Sequence, residues 1–238
     1  MLRLLFSFAL LLLLSGQRPV AAQSVIEKNA PVPAGQAVTL DLKHATTIRV
    51  RPATDGQLRV RATVSINQNK LNDAFELDLT PAGNGLRVAS DLNKKRLEQA
   101  KPGDCPANGT MYYGTWNGNK QNSAPVCADI VFEISVPAAT DLRISTISGD
   151  IDVQGLTGEL QAKSISGFVD VSWPAAQAAS VALKTITGEV YTDQDVAFVN
   201  LQENPIVGYE VKGTLAGGTG PALRLESISG DVFFRRAK

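Results

Sequence analysis

A short pattern recurs four times in the second half of the chain, and it constrains the fold more than any other feature. The pattern is Ser or Thr, Ile, Ser or Thr, Gly, any residue, and then Ile or Val. Its glycines are Gly149, Gly167, Gly188 and Gly230, at spacings of 18, 21 and 42 residues. Because 42 is twice 21, we expect a degenerate copy near Val207 to Leu215. A repeat of about 20 residues is typical of stacked architectures, since a single unit cannot bury its own apolar face.

The apolar positions of the repeat predict how such a stack is filled. Each copy has an Ile before the glycine and an Ile or Val after it, so we expect two aliphatic ladders inside. The glycine between them suits a sharp corner, and the Ser and Thr residues are expected to face outward or to cap that corner. The last copy runs into two Phe and two Arg residues, which we expect to cap the open end of the stack. The ladder residues are Ile147, Ile165, Ile186 and Ile228, then Ile151, Val169, Val190 and Val232, and the expected cap is Phe233, Phe234, Arg235 and Arg236.

The first half of the chain alternates apolar and polar residues, which predicts half-buried strands. Val38, Leu40 and Leu42 follow this period of two, and similar runs continue to residue 92 with turn residues between them. The pattern predicts an antiparallel meander. We therefore predict an all-β chain whose antiparallel meander or sandwich-like region 23–136 continues into a stacked β-repeat region 137–238, resembling a β-solenoid or β-roll.

The N-terminus has the features of a secretory signal peptide. Arg3 precedes an apolar run from Leu4 to Leu14, which is too short to span a bilayer, and Ala22 completes a small-residue cleavage site. We expect residues 1–22 to be removed and the chain to be extracytoplasmic, in the periplasm, at the cell surface or secreted. The remaining chain carries 21 basic and 23 acidic residues, without the clustered basic excess of nucleic-acid-binding proteins.

The two cysteines, Cys105 and Cys127, are expected to form a disulfide in an oxidising compartment. The alternative is two unpaired thiols. A metal site is less favoured, because His44 is the only histidine and is far away in sequence.

The repeats, together with the strand Asp129 to Pro137 and the following Leu142-Arg-Ile-Ser-Thr-Ile-Ser-Gly-Asp-Ile, resemble the bacterial putative-adhesin family. The segment from Thr47 to Val64 resembles the N-terminal strands of that family. The resemblance implies a β-repeat domain of unknown function in a signal-peptide-bearing envelope protein, without assigned catalytic residues. The segment bracketed by the cysteines is not part of the family's pattern.

Two groups of residues are candidates for ligand binding. Tyr112, Tyr113 and Trp116 lie on the polar segment between the cysteines, where aromatic rings suit recognition of sugars or protein surfaces unless they pack onto a sheet edge. A second group of four arginines alternates on two strands joined by a short turn. If these strands pair as a hairpin, the guanidinium groups share one face and could receive a phosphate or carboxylate of an envelope polymer; otherwise they keep an outer face solvated. These arginines are Arg49, Arg51, Arg59 and Arg61.

Catalytic machinery is not indicated by the sequence. A Ser-His-Asp site needs a histidine base, but His44 is the only histidine and the sequence has no G-x-S-x-G nucleophile elbow. Carboxylates recur at two repeat positions and could form a calcium site or a glycosidase pair, but aromatic residues interrupt both series. The first series is Asp150, Glu189 and Asp231, and the second is Asp152 and Asp170.

These observations favour a non-enzymatic extracytoplasmic protein with an adhesin-like or envelope scaffold role and no cofactor. Its expected partner is an envelope glycan or another envelope protein. The alternatives are a carbohydrate-active enzyme on a β-solenoid, which needs two carboxylates close together in a cleft, and a periplasmic partner of a membrane sensor, which needs an exposed apolar patch.

Overall fold

The chain folds almost entirely into β-strands, which confirms the all-β prediction. A computed structural model of the protein describes residues 22–105, 111–114, 124–200 and 208–237, with the backbone alone for 111–114. A 3-10 turn spans Asn72–Ala74 and a short helix, α1, spans Lys94–Leu97. The strands are β1 (Ser24–Pro31), β2 (Ala37–Leu42), β3 (Thr47–Ala53), β4 (Gln57–Ile66), β5 (Phe75–Ala82), β6 (Gly85–Leu92), β7 (Met111–Gly114), β8 (Pro125–Pro137), β9 (Leu142–Thr146), β10 (Asp150–Gln154), β11 (Leu160–Ser164), β12 (Val169–Trp173), β13 (Ala179–Lys184), β14 (Val190–Thr192), β15 (Ala197–Phe198), β16 (Glu210–Leu215), β17 (Ala222–Ser227) and β18 (Val232–Arg236).

The strands form two mixed sheets. Sheet 1 has the order β1-β4-β8-β3-β10-β12-β18-β14, with β7 paired to β8. Sheet 2 has the order β15-β16-β13-β17-β11-β9-β2-β6-β5. Within sheet 1 the strands from β8 to β14 run parallel, and within sheet 2 those from β13 to β6 run parallel. Antiparallel pairs lie toward the edges.

The core lies between the two sheets. Leu40 and Leu183 of sheet 2 belong to the same buried cluster as Val50, Phe132 and Val171 of sheet 1. Because successive side chains of a strand point to opposite faces, the polar residue next to each core residue points away from this cluster. Each sheet therefore has one buried face and one outer face. Among the described residues, no helix is both long enough and apolar enough to cross a membrane.

The antiparallel meander predicted for the first half is wrong. The consecutive strands β2 and β3 lie in different sheets, and each has parallel neighbours on both sides. Antiparallel pairing in this half is confined to β1, β4 and β8 at one edge of sheet 1, the strand β7 beside it, and the β5–β6 hairpin. Period-two alternation locates a half-buried strand but contains no information on the direction of its neighbours.

The spatial order of the repeats differs from their order in the chain. The strand pairs β9/β10 and β11/β12 are neighbours in both sheets, but β17/β18 then lies between β11/β12 and β13/β14. The fourth repeat is therefore internal, and the prediction that its Phe and Arg residues cap an open end is wrong. The expected degenerate copy is β16, which pairs antiparallel with β13 and is not a further parallel strand of the series.

The first predicted aliphatic ladder is also wrong. Ile147 and Ile165 are 41% and 40% exposed, and Ile186 and Ile228 are only half-buried. The residue before each isoleucine is buried instead, and this series comprises Thr146, Ser164, Thr185 and Ser227. In the second ladder, Ile151, Val169 and Val232 are fully buried, while Val190 near the sheet edge is half-buried.

The buried hydroxyls explain the repeated Ser or Thr and the repeated Gly. The Ser164 hydroxyl donates to the carbonyl of Gly149 at 2.9 Å and accepts from the N–H of Gly167 at 2.9 Å. Ser227 does the same with Gly167 and Gly230, at 2.8 and 2.9 Å. Each hydroxyl thus satisfies two backbone groups at a buried corner, where unpaired groups are costly.

Candidate functional site

The four arginines singled out by the sequence lie together on the outer face of sheet 1. They do not belong to a hairpin, because β8 lies between β3 and β4. In the register, Arg49 and Arg61 flank Glu133, while Arg51 and Arg59 flank Ser135. The predicted common face is therefore present, although the predicted pairing of the two strands is wrong.

These side chains line a groove of about 780 Å³, which we call the arginine groove. Strand β1 forms one side of it, and β4, β8 and β3 form its floor. Five cationic and two anionic side chains line the groove, so its potential is positive although the whole chain carries equal numbers of basic and acidic residues. The lining residues are Glu27, Lys28, Asn29, Arg49, Arg51, Arg59, Val60, Arg61, Glu133, Ile134 and Ser135.

Three of the four arginines already have carboxylate partners. Both terminal nitrogens of Arg59 bind Asp55, at 3.0 and 2.5 Å, and this contact lowers the pKa of Asp55. Arg51 binds Asp152 at 2.5 Å. Arg61 lies between two glutamates, Glu27 and Glu133, at longer distances of 3.6 and 3.7 Å. The carboxylates hold these guanidinium groups in place and leave Arg61 the most loosely paired of the three.

Arg49 differs from the other three arginines. It is exposed, and its guanidinium forms neither an ion pair nor a hydrogen bond with any residue in the described part of the chain. Its register neighbours, Glu133 and Asp152, pair with Arg61 and Arg51 instead. Arg49 therefore offers free donors within a positive groove, which suits a carboxylate or phosphate group.

A second groove, of about 740 Å³, adjoins the first and contains the carboxylate pair noted in the sequence. Asp152 and Asp170 are direct register neighbours on β10 and β12. Both oxygens of Asp170 accept from Nε of Arg235 at 3.0 Å, as Asp152 accepts from Arg51. Burial raises the pKa of Asp170, and Arg235 opposes that shift.

Two of the three residues in the other carboxylate series accept hydrogen bonds from backbone N–H groups. Asp150 accepts the N–H of Phe168 at 3.1 Å, and Asp231 accepts the N–H of Glu189 at 2.9 Å. Such contacts satisfy backbone donors beside the glycine corners. In the part of the chain that the structure describes, no three histidine, cysteine or acidic side chains are grouped as metal ligands.

An aromatic cluster on the outer face of sheet 1 was not identified as a site by the sequence reasoning. Phe168, Tyr191 and Phe233 come from three different repeats and meet beside Arg235. Phe233 and Tyr191 occupy the same repeat position on adjacent strands, so the repeat alignment already contained part of this signal. In the sequence these rings interrupt the two carboxylate series, and Phe233 also belongs to the expected end cap.

The predicted disulfide joins Cys105 to Cys127. Asn67 supports it: its side-chain oxygen accepts the N–H of Cys127 at 2.8 Å, and its own N–H donates to the Cys127 carbonyl at 2.9 Å. Of the aromatic residues predicted to bind a ligand here, Tyr112 and Tyr113 lie on β7, described as backbone paired to β8, and Trp116 lies outside the described residues. Their role stays a prediction.

Comparison with known proteins gives a structural likeness without a sequence match. No family model matches the chain, and no curated protein matches it. A solved structure of a putative cell adhesion protein from Clostridium sporogenes is 11% identical, covers 90% of this chain and 100% of that chain, and has a TM-score of 0.52. A putative adhesin from Bacteroides fragilis is 11% identical over 91% of this chain and 99% of that chain, with a TM-score of 0.30. The first likeness shows a shared fold and agrees at that level with the resemblance to the putative-adhesin family.

Proposed function

We propose that this chain is a non-enzymatic, extracytoplasmic, adhesin-like protein that binds carboxylate or phosphate groups of an envelope polymer in the arginine groove. One observation carries the proposal: four guanidinium groups from two non-adjacent strands converge on one outer face, and one of them has no partner among the described residues. Arginine binds such anions through two parallel hydrogen bonds, so a row of guanidinium groups favours a repeating anionic ligand over a single ion.

The adhesin-like role and the location have independent support. The Clostridium sporogenes structure that shares this fold is described as a putative cell adhesion protein. The disulfide favours an oxidising compartment, where such bonds persist, and the N-terminal sequence favours export.

The proposal includes a β-roll-like stack as the scaffold. The two sheets have the same order of strand pairs, since β13, β17, β11, β9, β2 and β6 in sheet 2 match β14, β18, β12, β10, β3 and β8 in sheet 1. Parallel strands in a common order hold the outer-face residues about 4.8 Å apart from one strand to the next. A rigid ladder of this kind suits an extended polymer.

The non-enzymatic part of the proposal is supported by the arginine partners of Asp152 and Asp170. A glycosidase needs one carboxyl group that donates a proton to the leaving oxygen. Asp152 and Asp170 each accept a hydrogen bond from an arginine, so both carboxylates already have a structural partner, although burial raises the pKa of Asp170. The rival enzyme hypothesis expects the release of reducing ends from a bound polysaccharide, with activity lost in Asp170→Asn.

Binding to immobilised polymers tests the proposal. The polymers are polygalacturonate for carboxylates, poly(glycerol phosphate) for phosphates, and dextran as an uncharged control. The variants are Arg49→Ala and, as a matched control, Arg143→Ala, since Arg143 is also an exposed strand arginine without an ion pair to the described residues but lies on the outer face of sheet 2. We expect at least one anionic polymer to bind, with binding weakened by added salt.

The arginine variants decide whether the groove is the site. Arg49→Ala is expected to weaken binding about tenfold or more, because a hydrogen bond to a charged group contributes about 1.5 kcal/mol or more. Arg143→Ala is expected to bind as the wild type does. Equal losses in both variants, or binding that salt does not affect, contradict the proposal.

A further inference from the structure

A single row of outward-facing residues crosses sheet 1 from the arginine groove to the aromatic cluster. The register aligns Arg49 with Asp152, Asp152 with Asp170, Asp170 with Phe233, and Phe233 with Tyr191. Four interstrand steps of about 4.8 Å place the two ends of this row about 19 Å apart. A ligand lying across the strands therefore meets cationic, acidic and aromatic side chains in turn.

The aromatic end of the row has a defined geometry. The Tyr191 and Phe233 rings are stacked, with centroids 5.2 Å apart and planes inclined by 10°. Phe168 meets Phe233 edge-on at 6.1 Å, and the Arg235 guanidinium lies 4.6 Å from the Phe233 centroid. Phe233 is thus enclosed by its neighbours, whereas Phe168 and Tyr191 are 37% and 44% exposed. Phe168 and Tyr191 thus lie on either side of Phe233, and together the three rings form an exposed aromatic patch, which is typical of a binding site.

Tyr191 has one ring face directed away from the cluster. Strand β14 is the last strand of sheet 1, and Phe233 stacks on the ring of Tyr191 from the adjacent strand β18. In the described ranges, no strand follows β14 on its other side. The Tyr191 hydroxyl donates to Glu189, which fixes the direction of the ring. The outer ring face is therefore pre-oriented before any ligand binds, which reduces the entropy lost on binding.

The groups beside the rings match the two kinds of surface that a sugar presents. A pyranose ring has an apolar C–H face, which suits the negative face of an aromatic ring, and a rim of hydroxyl groups. Asp170 and Arg235 lie next to the rings and can accept from and donate to such hydroxyls. An apolar peptide surface would instead leave this ion pair desolvated without new partners, which is costly.

We propose that Tyr191 and Phe168 form a sugar-stacking subsite and that the ligand of this face is a glycan chain long enough to reach from the rings toward the arginine groove. The inference that this glycan is anionic rests on the proposed function, whereas the inference that its sugar rings stack on the aromatic rings does not. The subsite therefore binds neutral sugars as well, more weakly than it binds an acidic chain that also reaches Arg49.

An array of neutral and acidic oligosaccharides of one to eight sugars tests the subsite, followed by calorimetric titration of the strongest neutral and the strongest acidic ligand. The variants are Tyr191→Ala, Tyr191→Phe, which keeps the ring and removes only the hydroxyl, and Arg49→Ala. All are exposed positions, and circular dichroism and thermal melting verify folding. Tyr191→Ala is expected to lower the affinity for both ligands by about fivefold to tenfold, because one ring contact is lost. Tyr191→Phe is expected to bind within about twofold of the wild type, because the stack on Phe233 still orients the ring when the hydrogen bond to Glu189 is lost.

The outcomes separate the two proposals. If Tyr191→Ala binds the oligosaccharides more weakly and Arg49→Ala binds them as the wild type does, the result supports the sugar subsite and contradicts binding in the arginine groove. If Arg49→Ala binds more weakly and Tyr191→Ala binds as the wild type does, the result overturns the sugar subsite but not the arginine groove. An array on which the wild-type protein binds no oligosaccharide overturns the subsite as well, whatever the charged polymers show.

Discussion

We predict that Gly167→Ala destabilises the protein strongly, because a methyl group at this position has no space. A Cβ atom on Gly167 would lie 2.1 Å from the carbonyl oxygen and 2.4 Å from the carbonyl carbon of Gly149 on the neighbouring repeat. Both atoms are backbone, so no side chain can rotate away. The two corners must separate until this contact lengthens from 2.1 Å to at least 3.0 Å, a displacement of roughly 1 Å.

That displacement strains several hydrogen bonds between the two repeats. Ser166 donates to the Ile147 carbonyl at 2.9 Å, and the Ser164 hydroxyl donates to the Gly149 carbonyl at 2.9 Å. The net contribution of each is about 1 kcal/mol. Overpacking in a tight site adds about 1–3 kcal/mol. We therefore expect Gly167→Ala to lower the free energy of unfolding by about 3–5 kcal/mol.

Equilibrium unfolding in urea, followed by circular dichroism, measures this loss. Gly56→Ala is the matched control, because a Cβ there has open space and the glycine has no positive φ. We expect that control to be neutral or stabilising by up to about 1 kcal/mol through the unfolded state. In Gly149→Ala the Cβ meets a carbonyl oxygen at 2.7 Å, so we expect its loss of unfolding free energy to lie between those of Gly167→Ala and Gly56→Ala. A Gly167→Ala protein as stable as the Gly56→Ala control refutes the close stacking of the glycine corners.

Three further predictions concern buried groups and the disulfide. Ser227→Ala is expected to lower the free energy of unfolding in urea by about 1–3 kcal/mol, because it leaves the buried Gly167 carbonyl and the part-buried Gly230 N–H without their hydroxyl partner; an unchanged midpoint contradicts this. Burial lowers the pKa of His44 below its ordinary value of 6.5, although the neighbouring Asp91 carboxylate opposes this shift. The unfolded chain therefore takes up a proton more readily than the folded protein, and stability falls as the pH drops below about 6.5. The melting temperature of His44→Asn is expected to change less than that of the wild type between about pH 7.5 and pH 5, and equal slopes would count against this. Reduction of Cys105–Cys127, 22 residues apart, is expected to cost about 3 kcal/mol in urea unfolding, and the same midpoint with and without reductant contradicts it.

The error at the first aliphatic ladder shows which part of the sequence signal was overlooked. Leu142 and Ile144 are buried, and the same period of two continues to Thr146, which is also buried. Alternation alone thus placed the hydroxyl inside and Ile147 outside. Polarity suggested the reverse, because a buried Ser or Thr is expected only where a backbone partner satisfies it. For Ser164, Thr185 and Ser227 that partner is a glycine carbonyl of the adjacent repeat, which a single repeat does not contain. Thr146 instead accepts the N–H of Gly149 in its own repeat.

The spatial order of the repeats could not be predicted from their spacing. The insertion of β17/β18 between β11/β12 and β13/β14 pairs parallel strands as a sequential stack would, and the repeats have the same alternation of buried and outward-facing residues. For the same reason, the pairing of β3 with β8 rather than with β4 could not be predicted from the sequence. Alternation nevertheless placed the four arginines on one face, which is why the candidate groove could be predicted without the correct strand pairing.

The side-chain NMR spectrum of the arginines tests most directly whether the arginine groove is the ligand site. Protein with ¹⁵N-labelled arginine is titrated with an oligosaccharide of polygalacturonate or with a fragment of poly(glycerol phosphate), and the Nε–H signals are assigned by single Arg→Lys variants. We predict that the signals of Arg49, Arg51, Arg59 and Arg61 shift with one common affinity and that the largest change is at Arg49. The signals of Arg143 and Arg224, on the outer face of sheet 2, are expected to stay in place. Shifts of similar size at all arginines, or shifts confined to Arg143 and Arg224, contradict this prediction.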